Sequence, residues 1–225
     1  MMYSIHVNGI DICYRQMGEG DPLVMVHGNG EDHTIFEEAA EELQKYFTCY
    51  LVDSRDHGES TKTEELHYED MAEDMRQFME ELDMLDVTFY GFSDGGIVGL
   101  LAAAGNPRVN NLIVSGANLT PEGARPWLRA FLKVLCMFRK NDNKLKLMMN
   151  EPHISHELLK TISARTLVLA GSHDMVTEKE TREIAENIPG AELRILKGEG
   201  HASYIVHSTK IAEIIKEFVY GKIRS

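Results

Sequence analysis

The stretch TFYGFSDGGIVGLLAAAG, residues 88–105, places a lone serine between two apolar runs. The first run ends at Tyr90 and is typical of a buried strand, and the second is typical of a buried helix. Ser93 lies between them, with Gly91 and Gly95 two residues away on either side. Glycine destabilises helices and strands, but it permits tight turns and close approach of the backbone. The two glycines therefore predict a sharp strand-to-helix turn that carries Ser93.

The Gly-x-Ser-x-Gly pattern of residues 91–95 is the sequence signature of a nucleophile elbow. Ser93 would then project from the carboxyl end of its strand, where open α/β sheets bind ligands. It would also lie at a helix N-terminus, whose free N–H groups favour developing negative charge. Serine is a good N-cap too, so the motif alone leaves a purely structural turn open.

The composition excludes several classes of protein. With 225 residues and 43% apolar residues, the chain can bury a sizeable core. It has no run of 18 apolar residues, so no membrane span is expected. The N-terminus predicts a hairpin around Asn8-Gly9 rather than a signal peptide. Cys13, Cys49 and Cys136 are odd in number and widely spaced, so we expect no disulfide framework and a cytoplasmic location.

The net charge of −13 disfavours a nucleic-acid partner, whose phosphates need a basic surface. Residues 125–146 depart from this balance: seven Lys/Arg against one Asp make a local charge of +6, so the rest of the chain carries −19. This basic patch is either a solvated surface or a means of steering anionic substrates. The oligomeric state, monomer or homodimer, stays open.

Strand-like and helix-like segments alternate along the chain. Strands are predicted at residues 22–28, 49–54, 86–91, 110–117, 164–171 and 191–198. Helices are predicted at residues 34–47, 68–85, 95–105, 178–188 and 208–221. The pattern predicts one α/β domain over residues 1–225, with a mostly parallel sheet of about eight strands and helices on both faces.

Residues 118–160 do not fit this alternation, and we interpret them as a short helical cap inserted over one edge of the sheet. The cap contains RPWLRAFLKVLCMFRK, residues 125–140, whose apolar residues recur at helical spacing. Trp127 in this helix is a candidate substrate contact. Met148 and Met149 are interpreted as packing within the cap.

A serine nucleophile needs a base, and the base needs a group that orients it. Asp174 follows the predicted strand at residues 164–171, and His201 follows the next strand. Both therefore lie at the same sheet edge as Ser93. The predicted catalytic residues are Ser93, Asp174 and His201. Asn118 lies where some related proteins place the acid, but an amide stabilises an imidazolium less well than a carboxylate does.

An oxyanion hole requires backbone N–H groups that point at the reacting carbonyl oxygen. LVMVHGNGED, residues 23–32, provides a loop after an early strand, with Asn29 as one donor. The N–H of Asp94, the residue after the nucleophile, is the second donor. His27 and His57 are interpreted as braces for these turns rather than as catalytic groups.

Five motifs occur in one order: HGNG (27–30), DSRDHGES (53–60), GFSDGG (91–96), AGSHD (170–174) and GEGHAS (198–203). Together they resemble the α/β-hydrolases over essentially the whole chain. The resemblance implies the chain order serine, acid, histidine that Ser93, Asp174 and His201 follow. Two features depart from the family pattern: Asp56 stands where many relatives have glycine, and the cap is short. GFSDGG followed by SGAN (115–118) most resembles the valacyclovirase-like esterases.

We therefore expect a serine hydrolase of small-molecule esters that forms an acyl-enzyme and needs no cofactor or metal. His153 and His156 are a possible metal pair, but no third ligand is evident in the sequence. The same constellation would also suit a C–C bond hydrolase, a perhydrolase, or a non-enzymatic sensor or partner-binding protein. The side chain of Asp94 either stabilises a helix end or binds a substrate ammonium group.

Overall fold

The structure is a computed structural model that describes residues 2–221. Its strands are β1 (Met2–Val7), β2 (Ile10–Met17), β3 (Asp21–Val26), β4 (Phe47–Val52), β5 (Val87–Phe92), β6 (Val109–Ser115), β7 (Arg165–His173) and β8 (Glu192–Gly200). They form one sheet in the order β1-β2-β4-β3-β5-β6-β7-β8. The pairs β1/β2 and β2/β4 are antiparallel, and the others are parallel.

The helices cover both faces of this sheet. They are α1 (Glu37–Leu43), α2 (Tyr68–Glu81), α3 (Asp94–Ala103), α4 (Pro126–Phe138), α5 (Asn143–Asn150), α6 (His156–Leu159), α7 (Glu178–Asn187) and α8 (Lys210–Tyr220). Short 3-10 helices span His33–Phe36 and Pro121–Gly123. The mostly parallel α/β architecture predicted from the alternation is confirmed.

The central strands are continuous apolar runs in the sequence, and strand β3 shows the reason. Val24 and Val26 pack into the core under α2, α3 and α7, whereas Leu23 and Met25 pack into the core under α1 and α8. Successive side chains of a strand point to opposite faces, so a strand covered on both faces needs apolar residues at every position.

The predicted N-terminal hairpin is present, with Val7 paired to Ile10 across the Asn8-Gly9 turn. The helix predicted over residues 34–47 is wrong at its C-terminal end, because α1 stops at Leu43. Phe47 instead begins β4, is fully buried and pairs in register with Asp21 of β3. Tertiary pairing therefore overrides the helical spacing of this segment.

Residues 118–160 leave the sheet after β6 and return before β7, two strands that are hydrogen-bonded neighbours. The segment contains the second 3-10 helix and α4, α5 and α6. Its start is held by Glu180, whose carboxylate accepts hydrogen bonds from the backbone N–H groups of Leu119 and Thr120. These contacts place the segment, named the cap below, beside the carboxyl edge of the sheet.

Candidate active site

Ser93 occupies a strained turn between β5 and α3. Its backbone has φ 53° and ψ −115°, a conformation that non-glycine residues rarely adopt. A Cβ at Gly91 would overlap the carbonyl of Gly95, and a Cβ at Gly95 would overlap the carbonyl of Val26. Both glycines are therefore required by close backbone approach, which is the steric reason for the Gly-x-Ser-x-Gly spacing.

A chain of hydrogen bonds links three of the predicted site residues. His201 Nε2 lies 3.1 Å from Ser93 Oγ, and His201 Nδ1 lies 2.6 Å from Asp174 Oδ1. Asp174 and His201 follow the neighbouring strands β7 and β8, so the parallel sheet brings both loops to the end of β5. The imidazole is thus positioned to exchange a proton with the hydroxyl on one side and to be stabilised by the carboxylate on the other.

The Asp174 carboxylate is held by more than the imidazole. Its Oδ2 accepts a hydrogen bond from the N–H of Gly171, and its Oδ1 accepts one from the N–H of Val176. Burial raises the pKa of Asp174, but the contacts with His201 and the two backbone donors outweigh burial, and the pKa lies below its ordinary value. The group is therefore an oriented carboxylate at neutral pH.

Asn29 and Asp94 both line the cavity beside Ser93. Within residues 2–221 neither backbone N–H is paired with a protein acceptor, whereas the adjoining N–H groups of Gly28 and Gly95 are paired. Gly28 donates to Glu31 Oε2 at 3.0 Å, and Gly95 donates to the carbonyl of His27 at 3.0 Å. Two N–H groups thus remain available to a ligand oxygen at the floor of the cavity.

The side chain of Asp94 is buried and connects the two sides of this floor. Its Oδ2 accepts a hydrogen bond from the Asn29 side chain at 2.8 Å, and the Tyr68 hydroxyl also bonds the carboxylate. Burial raises the pKa of Asp94, and the bonds from Asn29 and Tyr68 oppose this effect. Asp94 lines the cavity, and its carboxylate is bonded to two other cavity residues rather than facing solvent at the start of α3.

The cavity has a volume of about 310 Å³ and opens between the sheet edge and the cap. Its cap wall is apolar and is formed by α4 and α5, with Leu128, Leu132 and Met148 facing inward. Trp127 is not among the lining residues, and 57% of its surface is exposed. The structure therefore does not bring this predicted substrate contact to the site, because α4 turns the neighbouring Leu128 inward instead.

Sequence reasoning missed three polar residues of the cavity, Glu31, Tyr68 and Glu151. Burial raises the pKa of Glu31, and its bond from the Gly28 N–H opposes this rise. The only sequence signal for Glu31 is an acid directly after the HGNG motif. Tyr68 begins α2 and carries no motif at all, so nothing in the local sequence distinguishes it from a core tyrosine.

Two buried histidines brace the loops behind the cavity. His27 Nε2 accepts a hydrogen bond from the N–H of Ser54, and His57 Nε2 accepts one from the N–H of Gly30. Both rings accept at Nε2, so both are neutral in this arrangement. Burial lowers the pKa of His27, and burial together with the nearby His27 lowers the pKa of His57 to about 4.

The low pKa of His57 predicts a loss of stability in acid. The unfolded chain binds the imidazole proton near pH 6.5, but the native state resists it down to about pH 4. Unfolding free energy therefore falls as the pH drops below 6.5, by about 2 kcal/mol at pH 5 for this group. His57→Gln should remove this part of the pH dependence, measured by urea unfolding at about pH 7.5 and pH 5.

His153→Gln is the matched control, since His153 is exposed. The control should keep the wild-type difference in unfolding free energy between the two pH values. Equal pH dependence in wild type and His57→Gln would show that the ring titrates normally in the native state.

Side chains of the types that can ligate a metal also meet in the loops after β3 and β4. Among residues 2–221, Asp32, His33 and Asp53 form a group whose polar atoms lie within 4.8 Å of one another. Asp53 Oδ1 accepts from the His33 backbone N–H at 2.8 Å and lies 2.9 Å from His33 Nδ1, while Asp32 bonds Thr34. Protein contacts therefore already use these atoms, and His156, one of the two histidines considered as a possible metal pair, bonds Glu183.

Comparisons with known proteins agree with the fold. The family described as alpha/beta hydrolase fold matches residues 21–159, so the chain belongs to the α/β-hydrolase fold family. The mouse protein serine hydrolase BPHL is 24% identical over 96% of this chain and 85% of its own length. This similarity supports the narrower resemblance to the valacyclovirase-like esterases.

Two further relatives extend the comparison. The pimeloyl-[acyl-carrier protein] methyl ester esterase of Vibrio campbellii is 31% identical over 57% of this chain and 49% of its own length. The solved structure of an esterase from Exiguobacterium antarcticum superposes with a TM-score of 0.85 at 22% identity, covering 98% of this chain and 100% of the esterase. The second likeness bears on the fold alone. In residues 2–221, no helix is long and apolar enough to cross a membrane.

Proposed function

We propose that the chain is a serine hydrolase that cleaves a small-molecule ester through a covalent acyl-enzyme. The observation that carries the proposal is the hydrogen-bonded chain Ser93–His201–Asp174, of which Ser93 and His201 line a cavity of about 310 Å³. A cavity of this size, largely apolar with a few convergent polar groups, suits a small ligand. The esterases and the serine hydrolase among the relatives support the reaction class.

In the proposed reaction, Ser93 Oγ attacks the ester carbonyl carbon while His201 Nε2 accepts the hydroxyl proton. The carbonyl electrons move to oxygen, and the N–H groups of Asn29 and Asp94 bind this oxyanion. Collapse of the intermediate breaks the bond to the alcohol, which leaves with the proton from His201. His201 then deprotonates a water molecule, which attacks the acyl group, releases the acid and returns the proton to Ser93.

A panel of acyl esters that vary in chain length and charge tests the proposal, with β-diketones and peroxide acceptors as competing substrates. We expect catalytic turnover on at least one class of ester that exceeds C–C cleavage and perhydrolysis. Faster reaction of a β-diketone or of peroxide would assign the same residues to different chemistry. A slow, near-stoichiometric reaction with every substrate would instead favour a sensor.

Asp94 offers a way to define the substrate further. Its buried carboxylate lines the cavity next to the proposed nucleophile, so an ammonium group α to the ester carbonyl could pair with it. Asp94→Asn should then weaken catalysis selectively on α-amino esters, by about 1.5–3 kcal/mol relative to matched esters without the amine. The measurement is kcat/KM for both members of each ester pair.

The structure suggests a different role that the same measurement separates. Because the Asp94 carboxylate bonds the Asn29 side chain, it also positions the loop that carries the other proposed oxyanion donor. Equal losses on both esters would assign Asp94 to this positioning role and remove the ammonium site. Glu31→Gln and Glu151→Gln are the comparison variants, since Glu31 and Glu151 are the other carboxylates that line the cavity. A selective loss in one of them, with none in Asp94→Asn, would move the ammonium site to that residue.

A further inference from the structure

The outer face of α4 is apolar although it faces solvent. Trp127, Phe131, Val134 and Phe138 recur at helical spacing, with exposed fractions of 57%, 55%, 51% and 82%. With Met137, which is 70% exposed, they are five of the eleven large apolar side chains exposed in residues 2–221. We name these five residues the α4 stripe.

The α4 stripe is separate from the face of α4 that packs onto the protein. Leu128 and Leu132 lie on the inner face and line the cavity. The stripe therefore contributes nothing to the cavity wall or to the core in this structure. A contiguous exposed apolar surface of this kind is uncommon on a soluble monomer and marks an interaction site.

Exposed cations occur within and just after the segment that carries the stripe. Lys133, Arg139, Lys140 and Lys146 are all exposed. They belong to residues 125–146, whose net charge is +6, while the remainder of the chain carries −19. Residues 125–146 are thus a basic segment in a strongly acidic chain, and the apolar stripe lies within that segment.

This charge distribution selects among partners. In a two-fold dimer each copy presents the same patch, so pairing two stripes would oppose +6 with +6. Like charges placed across an interface are unfavourable, which argues against a second copy on the stripe. A partner surface that is negatively charged and can also take up apolar side chains would bury the stripe and attract its cations at the same time.

We propose that the α4 stripe docks onto an anionic lipid surface. The aromatic side chains of Trp127, Phe131 and Phe138 enter the headgroup region while Lys133 and Lys140 contact the lipid phosphates. Aromatic residues on one side of a helix, with lysine and arginine beside them, are the composition of helices that lie in a membrane interface. The same surface repels the acidic remainder of the chain. This repulsion orients the protein with its cap toward the lipid.

Docking in this orientation places the cavity close to the lipid. The cavity-lining residues and the stripe lie on different faces of α4, so they are no more than one helix diameter, roughly 10–12 Å, apart. If the proposed hydrolase function holds, the ester would therefore enter from, or leave to, the lipid surface. Docking involves only the stripe and its neighbouring charges, so it does not depend on the hydrolase function.

Vesicle co-sedimentation of the full chain tests the docking. The probes are vesicles of phosphatidylcholine alone and vesicles of phosphatidylglycerol and phosphatidylcholine in equal parts. We expect binding to the anionic vesicles to be at least about tenfold stronger at low salt, and to weaken as salt screens the lysines. Absence of binding to the anionic vesicles would overturn the proposal and leave the stripe to a protein partner.

Two double variants separate the stripe from its charges. Phe131→Ser/Phe138→Ser and Lys133→Glu/Lys140→Glu should each lower vesicle binding at least about tenfold without changing the thermal midpoint. Their controls are Leu85→Ser, which removes an apolar side chain that is 62% exposed, and Lys179→Glu, which reverses an exposed charge on α7.

Two results would overturn the proposal even if wild type sediments with vesicles. One is binding by the stripe variants that equals binding by the controls. The other is a dimer, detected by light scattering without lipid and abolished by Phe131→Ser/Phe138→Ser, because it would assign the stripe to a second copy.

Discussion

Replacement of Ser93 by alanine is expected to lower kcat for ester hydrolysis by about 10⁶-fold, the range for loss of a serine nucleophile. The reason is that the substitution removes the only group that forms the proposed acyl-enzyme bond. Alanine leaves the N–H groups of Asn29 and Asp94 in place, so weak binding of the substrate should persist. Steady-state kinetics on the best ester of the panel measures the loss.

Ser4→Ala is the matched control for this variant, since Ser4 is an exposed serine on β1. A fluorophosphonate should add one label to wild type, on Ser93, and activity should fall in proportion to labelling. The Ser93→Ala protein should take up no label. Labelling of another residue, or full activity of the labelled protein, would refute the nucleophile assignment.

Conversion of Asp174 to asparagine is expected to lower kcat/KM by about 10⁴-fold, the effect of disturbing the tautomer of the base. Both carboxylate oxygens already accept hydrogen bonds from backbone N–H groups of Gly171 and Val176. An amide must therefore place its NH₂ against one of these donors. If the NH₂ takes the Oδ1 position, it also faces His201 Nδ1 and reverses the polarity of that contact.

The exposed Asp86→Asn variant is the control, since Asp86 also changes from acid to amide without contacting the site. Its kcat/KM should equal that of wild type. Circular dichroism of Asp174→Asn should show native helix and strand content, which separates a catalytic loss from unfolding. A loss of less than tenfold would move the orienting acid to another residue.

The sequence was most informative at positions where the local structure tolerates only one type of residue. Gly91 and Gly95 are needed because a side chain at either position would overlap a backbone carbonyl. The continuous apolar strands were readable because both faces of the sheet are covered, as β3 illustrates. These constraints are local, so the elbow and the alternation of strands and helices could be derived without coordinates.

Asp56 shows where local reasoning stops. It stands at a position where many α/β-hydrolases have glycine, and its φ of 63° is one that favours glycine. Its carboxylate lies 3.0 Å from Lys144 Nζ, and its carbonyl also accepts from that ammonium. Lys144 lies in the first turn of α5, 88 residues away in the chain, so no sequence window contains both partners.

The cap shows the same limit for apolar residues. The spacing of residues 125–140 predicts a helix, and the structure has one, but apolar residues lie on both sides of it. Which side faces the cavity depends on how α4 is anchored. Arg125 donates to the carbonyl of Asp174 at 2.6 Å, and this contact helps to set the rotation that turns Leu128 inward and Trp127 outward.

By itself the sequence determined the fold class, the elbow and the identity of the three candidate residues Ser93, Asp174 and His201, because each follows a predicted parallel strand at the same sheet edge. Only the tertiary structure decided that Asp94 faces the cavity, that Glu31 and Tyr68 join it, and that Trp127 does not. Periodicity and motifs report on local backbone structure, such as strands, helices and turns. The direction of a side chain depends on partners distant in sequence, as in the contact between Ser93 and His201 across 108 positions.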